Sequence, residues 1–257
     1  MLISTIVRVQ LGEVTIQGEA QVPSQPVDLQ TMLPAFRAIA DGLVNIAIGA
    51  TAKQNRPISC RKSCAACCRM AVPVSEPEAY RLRAVVEAMP EPRRSTIRAR
   101  FASGMDFFRD TGVLEDMFQR VRGDEAARKA IAGINAYHAR GVACPFLEDE
   151  SCTIYEERPL ACREFLVTSP AENCASIEGD GVQRLPVLAR PGDALILIAS
   201  NPNETRVAVL PMIQILEWTE ENPDHGARHG GPEWMGLFAE MLQTKANNTI
   251  ENGLGGD

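Results

Sequence analysis

The chain has 257 residues, of which 45% are apolar, and it carries a formal net charge of -7 at pH 7. This length is sufficient to bury a sizeable core, so stability does not require covalent cross-links. The acidic balance provides no positive field for a polyphosphate or an anionic lipid surface, which argues against nucleic acid and membranes as partners. Residues 1–8 lack a basic leader pattern, and no apolar run approaches the roughly 20 residues of a membrane span. We therefore expect a cytoplasmic protein.

The first quarter of the chain predicts a hairpin followed by a helix. Apolar and polar side chains alternate from residue 3 to residue 22 on either side of Gly12, as in two short paired strands. Asp28 is suited to cap the start of a helix that runs to about Gln54, because apolar residues recur there every three or four positions. We expect this helix to pack on one face.

Several further helices are predicted in the middle of the chain. Ser75 and Glu78 form a capping-box pattern, which predicts a helix over about residues 77–89. Two or three more are expected within residues 93–140, and Gly141 is a suitable C-terminal stop. These helices would form a spacer between two cysteine-bearing segments.

The rest of the chain is less periodic. From Cys144 to Cys174 it is rich in Pro, Asp, Glu and Ser, as expected of a segment that folds around ligands. The apolar stretches 182–198 and 207–218 are strand or helix by pattern, and we favour helices. After Asn247 the chain is polar and glycine-rich, which predicts a frayed tail.

Together these patterns favour a mainly α protein with a small N-terminal β hairpin, organised around a bipartite eight-cysteine metal centre. We divide it into a hairpin and helix at 1–59, a cysteine-cluster core at 60–176, and C-terminal apolar segments, a helix and a flexible tail at 177–257. The three parts are expected to form one compact domain.

All eight cysteines lie in the central part of the chain. Buried cysteines that served only as small hydrophobic residues would scatter more evenly, and disulfides are not expected in a reducing cytoplasm. Metal ligation is therefore the leading explanation. The candidate ligands are Cys60, Cys64, Cys67, Cys68, Cys144, Cys152, Cys162 and Cys174.

The spacing of the first four cysteines fits ligation in two backbone conformations. On a helix, their positions i, i+4, i+7 and i+8 would span an arc of about 100°. In a loop, Cys64 and Cys67 would form a C-x-x-C chelate of the kind found in zinc and iron–sulfur sites. Cys67 and Cys68 are adjacent and their side chains diverge, which favours two metals or one multinuclear cluster. Thiolates alone do not distinguish zinc from iron.

Other side chains are also candidates for ligands or reactive groups. The C-x-x-C pair also fits redox exchange, but no strand precedes it as a thioredoxin-like site would require. His225 and His229 have the i, i+4 spacing of a helical metal site, although the glycines around them favour a loop. His138 is expected to be an exposed or hydrogen-bonded helix residue.

Basic residues flank both cysteine segments. Their positive charge would either stabilise thiolates or be solvated or form ion pairs with nearby acidic residues such as Glu156, Glu157 and Glu164. The basic residues concerned are Arg61, Lys62, Arg69, Arg158 and Arg163.

The cysteine segments resemble the CxxCxxCC family of zinc- or iron-chelating domains. The resemblance rests on residues 60–69, on the helix start at 74–79, on Cys144-Pro-Phe-Leu and on residues 152–165. It implies that each of the eight cysteines fills a family position and that the function is metal chelation. One departure is that three residues separate Cys60 from Cys64, where the family pattern has two.

Two functional hypotheses follow. The first is a metal-binding protein without catalysis that chelates zinc or iron. The iron would be bound either as an ion or as an iron–sulfur cluster. The second is an iron-dependent redox or protein-modifying enzyme, because a related cysteine-rich region occurs in flagellin lysine methylases. The chain has no glycine-rich motif for S-adenosylmethionine, so methyl transfer is not predicted. A zinc-stabilised interaction module is a third option, with its protein partner unknown.

Overall fold

A computed structural model describes residues 1–109, 111–114, 124–175, 181–200, 209–224 and 226–251. Within these ranges the chain forms eight α-helices and three two-stranded antiparallel sheets. The helices are α1 Leu33–Lys53, α2 Glu76–Glu87, α3 Arg93–Arg109, α4 Asp124–Ala139, α5 Leu160–Glu164, α6 Pro191–Ala199, α7 Ile215–Glu221 and α8 Gly231–Glu251. The strands are β1 Leu2–Leu11, β2 Val14–Pro23, β3 Pro73–Ser75, β4 Leu147–Glu148, β5 Ser151–Cys152 and β6 Val209–Pro211. The mainly α class with a small N-terminal hairpin is confirmed.

Strands β1 and β2 form the predicted hairpin. They pair antiparallel from Leu11 opposite Val14 to Leu2 opposite Pro23. Gly12 in the turn has a φ of 60°, a conformation that glycine adopts without steric cost. The apolar face of β1 packs against α8, which brings the two ends of the chain together.

Helix α1 begins where the sequence predicts. The Asp28 side chain accepts a hydrogen bond from the Thr31 N–H at 2.9 Å and caps a short 3-10 helix, Leu29–Met32, that leads into α1. The buried ring of Phe36 stacks on Phe238 of α8, with centroids 4.3 Å apart. The hairpin, α1, α6 and α8 thus share the first of the hydrophobic cores.

The helix from Leu29 to Lys53 is long and apolar enough to cross a bilayer, which the sequence analysis did not recognise. About 44% of its apolar window is buried inside the structure. Core helices of soluble proteins meet the same criterion, so length and composition alone do not assign it to a membrane. The expectation of no membrane span stays a prediction.

A second core joins α2, α3 and the helices near the C-terminus. Strand β3 pairs with β6, which fixes the start of α2 against the chain that leads into α7. Gly104 of α3 lies so close to Ile213 that an added Cβ would come within 2.3 Å of the Ile213 side chain. The predicted helices over 77–89 and 93–140 are present in the described part of that region, and Gly141 has the positive φ expected of a helix stop.

Part of the C-terminal prediction was wrong. Of the stretch 182–198, only Pro191–Ala199 forms a helix, α6, and the chain before it is extended and bridges Val167 through Arg184. The stretch 207–218 contains a short strand, a 3-10 turn and the start of α7 rather than one helix. Helix α8 continues to Glu251, past the predicted start of the tail, and residues 252–257 lie outside the described residues.

Candidate metal centre

The first cysteine segment is mostly a loop. Only Ala66–Arg69 is helical, as a single 3-10 turn, so the version in which one helix face presents all four thiols was wrong. Ser63 has a φ of 64°, which turns the chain just before the Cys64-x-x-Cys67 pair. The Cys68 N–H donates to the Ala65 carbonyl at 2.9 Å and closes the 3-10 turn. The C-x-x-C chelate in a loop is the version that this backbone matches.

The second cysteine segment is made of short elements. Strands β4 and β5 form a two-residue hairpin in which Cys152 pairs with Leu147. Both turn residues, Asp149 and Glu150, have positive φ, as that kind of tight turn requires. Cys162 lies on α5, and Cys174 lies on a 3-10 helix at Ala171–Ala175. Such short pieces leave their relative positions to contacts with the rest of the fold.

The two segments meet directly. The Cys144 N–H donates to the Cys68 carbonyl at 2.7 Å, which joins the start of the second segment to the end of the first. The Val167 N–H lies 3.4 Å from the Cys60 Sγ as a donor. At the rim, the Arg69 guanidinium forms an ion pair with Glu150 at 2.7 Å. The structure therefore brings together two regions that are far apart in the sequence.

Cys67 lies at the electrostatic centre of this cluster. Its thiol group raises the pKa of six other cysteines, because a negative charge at Cys67 disfavours ionisation of thiols around it. Those six are Cys60, Cys68, Cys144, Cys152, Cys162 and Cys174. Cys64 is linked to the same group through Cys60 and Cys174. All eight thiols therefore belong to one coupled cluster.

Burial is the main reason that most of these thiols resist ionisation. It raises the pKa of Cys144 to about 12 and that of Cys174 to about 11, and it raises that of Cys162 well above its usual value. The pKa of Cys67 is lowered, chiefly because the neighbouring Cys68 thiol donates a hydrogen bond to it. All eight cysteines are free thiols. The Cys144, Cys162 and Cys174 thiols are therefore neutral near pH 7.

The chemistry of this donor set fits a soft metal cation. Thiolates are the preferred ligands of zinc and of iron–sulfur clusters, and a bound cation removes the electrostatic cost of ionising neighbouring thiols. Within the part of the chain that the structure describes, however, no three His, Cys, Asp or Glu side chains come close enough to form a metal coordination sphere. The thiols are thus gathered in one region without being arranged around one point.

Of the flanking basic residues, Arg158 is the one directed towards several thiols. Its positive charge lowers the pKa of Cys67 and opposes the rise at Cys152 and Cys162. The Arg158 guanidinium is held 3.6 Å above the centroid of the Tyr155 ring, which fixes its position. For Arg158 the interpretation that positive charge stabilises thiolates is supported.

Arg163 and Arg69 instead pair with acidic side chains. The buried Arg163 guanidinium forms an ion pair with Asp41 of α1 at 2.8 Å and donates to the carbonyls of Arg158 and Glu156. Arg163 therefore fixes the backbone around the cysteines, whereas Arg69 pairs with Glu150 and also interacts electrostatically with Cys68.

Buried carboxylates attach the second segment to the helices, a role that the sequence analysis missed. Glu78, predicted only as a capping residue of α2, accepts from the Ser75 N–H at 3.0 Å and from the Leu160 N–H at 2.7 Å. Because Leu160 begins α5, one carboxylate holds the N-termini of both α2 and the helix that carries Cys162. The signal available in the sequence was the second oxygen of the capping-box glutamate, but its partner is 82 residues away.

Glu157 makes the second attachment. Its carboxylate lies between Arg81 of α2 and Arg37 of α1, with the Arg37 Nη1 at 2.5 Å. The hydrogen bonds from Arg81 and Arg37 lower the pKa of Glu157 to about 2. Two helices from different cores are thereby tied to the segment between Cys152 and Cys162.

The two histidines that the structure describes, His138 and His229, contact protein groups other than the thiols. His138 is hydrogen-bonded, with its ring nitrogen 3.3 Å from the Cys174 carbonyl. His229 forms an ion pair with Glu233 at 2.7 Å and bridges Val27. His225 lies outside the described residues, so the His225–His229 pair is not tested.

Short loops, free thiols and fixed basic groups define a cysteine-cluster domain built on a helical frame. Residues 59–176 match the family model described as "CxxCxxCC: Putative zinc- or iron-chelating domain". All eight cysteines lie within the matched residues. No curated protein and no solved structure shows significant similarity to the chain.

Proposed function

We propose that this protein chelates zinc or iron through its eight cysteine thiolates, Cys60, Cys64, Cys67, Cys68, Cys144, Cys152, Cys162 and Cys174. The observation that supports the proposal is the direct contact between the two cysteine segments, in which the Cys144 N–H donates to the Cys68 carbonyl at 2.7 Å and the thiols of both segments affect one another's pKa. Eight thiolates would suffice for two four-coordinate metals or two four-cysteine clusters.

The residues around the thiols would prepare the site. A soft cation would supply the positive charge that lets neighbouring thiols ionise together. Arg158 would offset part of the remaining negative charge, and Glu78 and Glu157 would keep the second segment against the helices. Because the proposed site takes thiols from both segments, metal binding would be coupled to the folding of residues 144–174.

A binding role without catalysis is the first candidate, because the matched family model is described by metal chelation alone. Two cavities of the described fold lie against the N-terminal hairpin and are lined by no cysteine, so neither of them is a substrate cleft at the thiols. An iron-dependent enzyme would need a substrate cleft beside the metal. The free thiols are also consistent with a reducing compartment, and we propose that the protein works in the cytoplasm.

The test is metal content with an ultraviolet–visible spectrum, measured on full-length protein purified without oxygen. The expected result is either about two zinc ions in colourless protein or iron with sulfide in brown protein. Cys67→Ser and Cys162→Ser are each expected to lose at least half of the metal, because each removes a thiolate near the centre of the cluster.

Ala66→Ser is the matched control. It places a hydroxyl beside Cys67 in the same half-buried turn without removing a thiol, and it should keep the full metal content. Full metal retention in both cysteine variants would contradict the ligand assignment.

A further inference from the structure

From Val14 to Gln21, strand β2 has an outer edge that pairs with no other described strand, whereas its last residues, Val22 and Pro23, lie against Gly231. The Gln10 N–H donates to the Gln243 side chain at 2.8 Å, so Gln10 turns its backbone away from β2. Gln10 is opposite Thr15 in a pair that is not hydrogen-bonded between β1 and β2. In such a pair the backbone N–H and C=O groups of both residues point away from the hairpin, so those of Thr15 point to the outer edge of β2. The direction alternates along the strand, so the backbone groups of Gln17, Glu19 and Gln21 also point to this outer edge. Among the described residues, no backbone group pairs with this edge of β2.

An apolar groove runs along that free edge. It is a cavity of about 490 Å³ between β2 and the outer face of α1. Ile16 and Ala20 of β2 form one wall, and Ala38 and Ile46 of α1 form the other. Ile46 remains 47% exposed in this mostly apolar groove. The apolar face of the hairpin therefore extends beyond what the single chain covers.

Two glycines in the groove are not required by the chain itself. A Cβ added at Gly18 of β2 or at Gly42 of α1 would meet no atom within 4 Å, and neither glycine has a positive φ. Glycine inside a strand or a helix is less favourable than alanine, because glycine loses more conformational entropy on folding. Within a strand it often marks a place where another backbone comes close. Both positions leave open space for an external chain.

We propose that the occupant is a second copy of this chain, whose β2 pairs antiparallel with β2 about a two-fold axis at Gly18. The product is a four-stranded sheet that lies across two copies of α1. Closed two-fold dimers are the commonest protein oligomers, and pairing of the free edges satisfies the backbone groups on both strands. The dimer goes beyond metal binding and does not depend on it.

The charges along the edge match this register. With Gly18 on the axis, Gln17 lies opposite the partner's Glu19, and Thr15 lies opposite the partner's Gln21. Arg8 already donates to the Gln17 side chain at 2.9 Å, so the row across the sheet runs from a guanidinium through an amide to the partner's carboxylate. A register centred on Glu19 would instead place two carboxylates face to face. All four outward-facing residues are paired only in the register at Gly18.

The test is the mass of the full chain in solution by size-exclusion chromatography with light scattering. Wild type is expected at twice the chain mass of 28.0 kDa. Ala38→Glu places a charge in the groove and should give a monomer. Gln17→Pro should do the same, because it removes an outward N–H that the single chain does not use.

Ala50→Glu is the matched control. Ala50 is also an exposed alanine of α1, but it does not line the groove and lies roughly 18 Å along the helix from Ala38. It should remain a dimer, and all variants should keep the wild-type far-ultraviolet circular dichroism below the melting transition, which shows that each chain is still folded. The proposal is overturned if wild type is a monomer, or if the Ala38→Glu and Gln17→Pro variants both remain dimers. It is also overturned if Ala50→Glu dissociates the dimer.

Discussion

The hairpin end of the molecule and the cysteine end are held together by different forces. The first is a continuous apolar core in which Phe36, Leu33 and Phe238 are fully buried between β1, α1 and α8. The region from Cys144 to Cys174 has few buried apolar side chains and is attached through Glu78, Glu157 and Arg163. Burial suffices to fold one end, whereas the other depends on specific charged partners and, under our proposal, on metal.

The strongest challenge to this comparison is metal removal. Structural zinc sites supply roughly 10–16 kcal/mol of binding free energy, which is folding energy when no site exists in the unfolded chain. Chelation should therefore increase amide hydrogen exchange in residues 144–174 by several orders of magnitude while α1 and α8 keep most of their protection. Equal loss of protection at both ends would show that metal stabilises the hairpin end as much as the cysteine end, which contradicts the comparison.

A cavity at the hairpin end should have the opposite effect. Phe36→Ala removes a fully buried ring that stacks on Phe238, and it should reduce the free energy of unfolding by about 3–5 kcal/mol. The metal content of the protein that remains folded should not change. Phe107→Ala, at a ring that is 46% exposed, is the control and should cost much less. Chemical denaturation with metal analysis measures both quantities.

Glu78 connects the two ends, so its replacement sharpens the comparison. Glu78→Ala leaves the Leu160 N–H buried without an acceptor, at a cost of about 1–3 kcal/mol, and releases the helix that carries Cys162. Both the free energy of unfolding and metal retention during dialysis should fall. Glu78→Gln keeps one acceptor oxygen and should lose less of each. If Glu78→Ala lowers stability without any effect on metal retention, Glu78 does not position the site.

The smallest effect is expected from acid. The folded-state pKa of Glu157 is lowered to about 2 by Arg81 and Arg37, so its contribution to stability is complete above the unfolded-state pKa, near 4.5, and is lost as the pH falls towards 2. Because the ion pair with Arg81 is partly exposed, we expect about 1 kcal/mol. The unfolding free energy of Glu157→Gln, measured between pH 5 and pH 2.5, should fall less steeply than that of wild type. Parallel curves would exclude this role for Glu157.

The elements that sequence predicted are those specified by local patterns. The hairpin follows from alternation around Gly12, and α1 follows from its spacing of apolar residues after Asp28. The helix prediction for residues 182–190 was wrong because Leu185 is buried in extended chain, where it packs against Val44 and Ala47 of α1. A short apolar run has no period that separates the two cases.

The candidate site divides in the same manner. The number and grouping of the thiols predicted two converging segments, and the backbone contact between Cys144 and Cys68 brings those segments together. The loop before Cys67 was one of the two conformations that the cysteine spacing allowed, and the spacing did not choose between them because the loop depends on the positive φ of Ser63. The second bond of Glu78 was missed because its partner, Leu160, is adjacent only in the folded chain.

The contact between Cys144 and Cys68 also sets an order of events during synthesis. About 75 residues separate the two, and a ribosome that adds roughly 5–20 residues per second takes several seconds to bridge that interval. During that time the first four thiols have left the ribosome, or are leaving it, before any of the other four exists. Correct maturation therefore requires that the nascent half-site be kept reduced until the later thiols arrive.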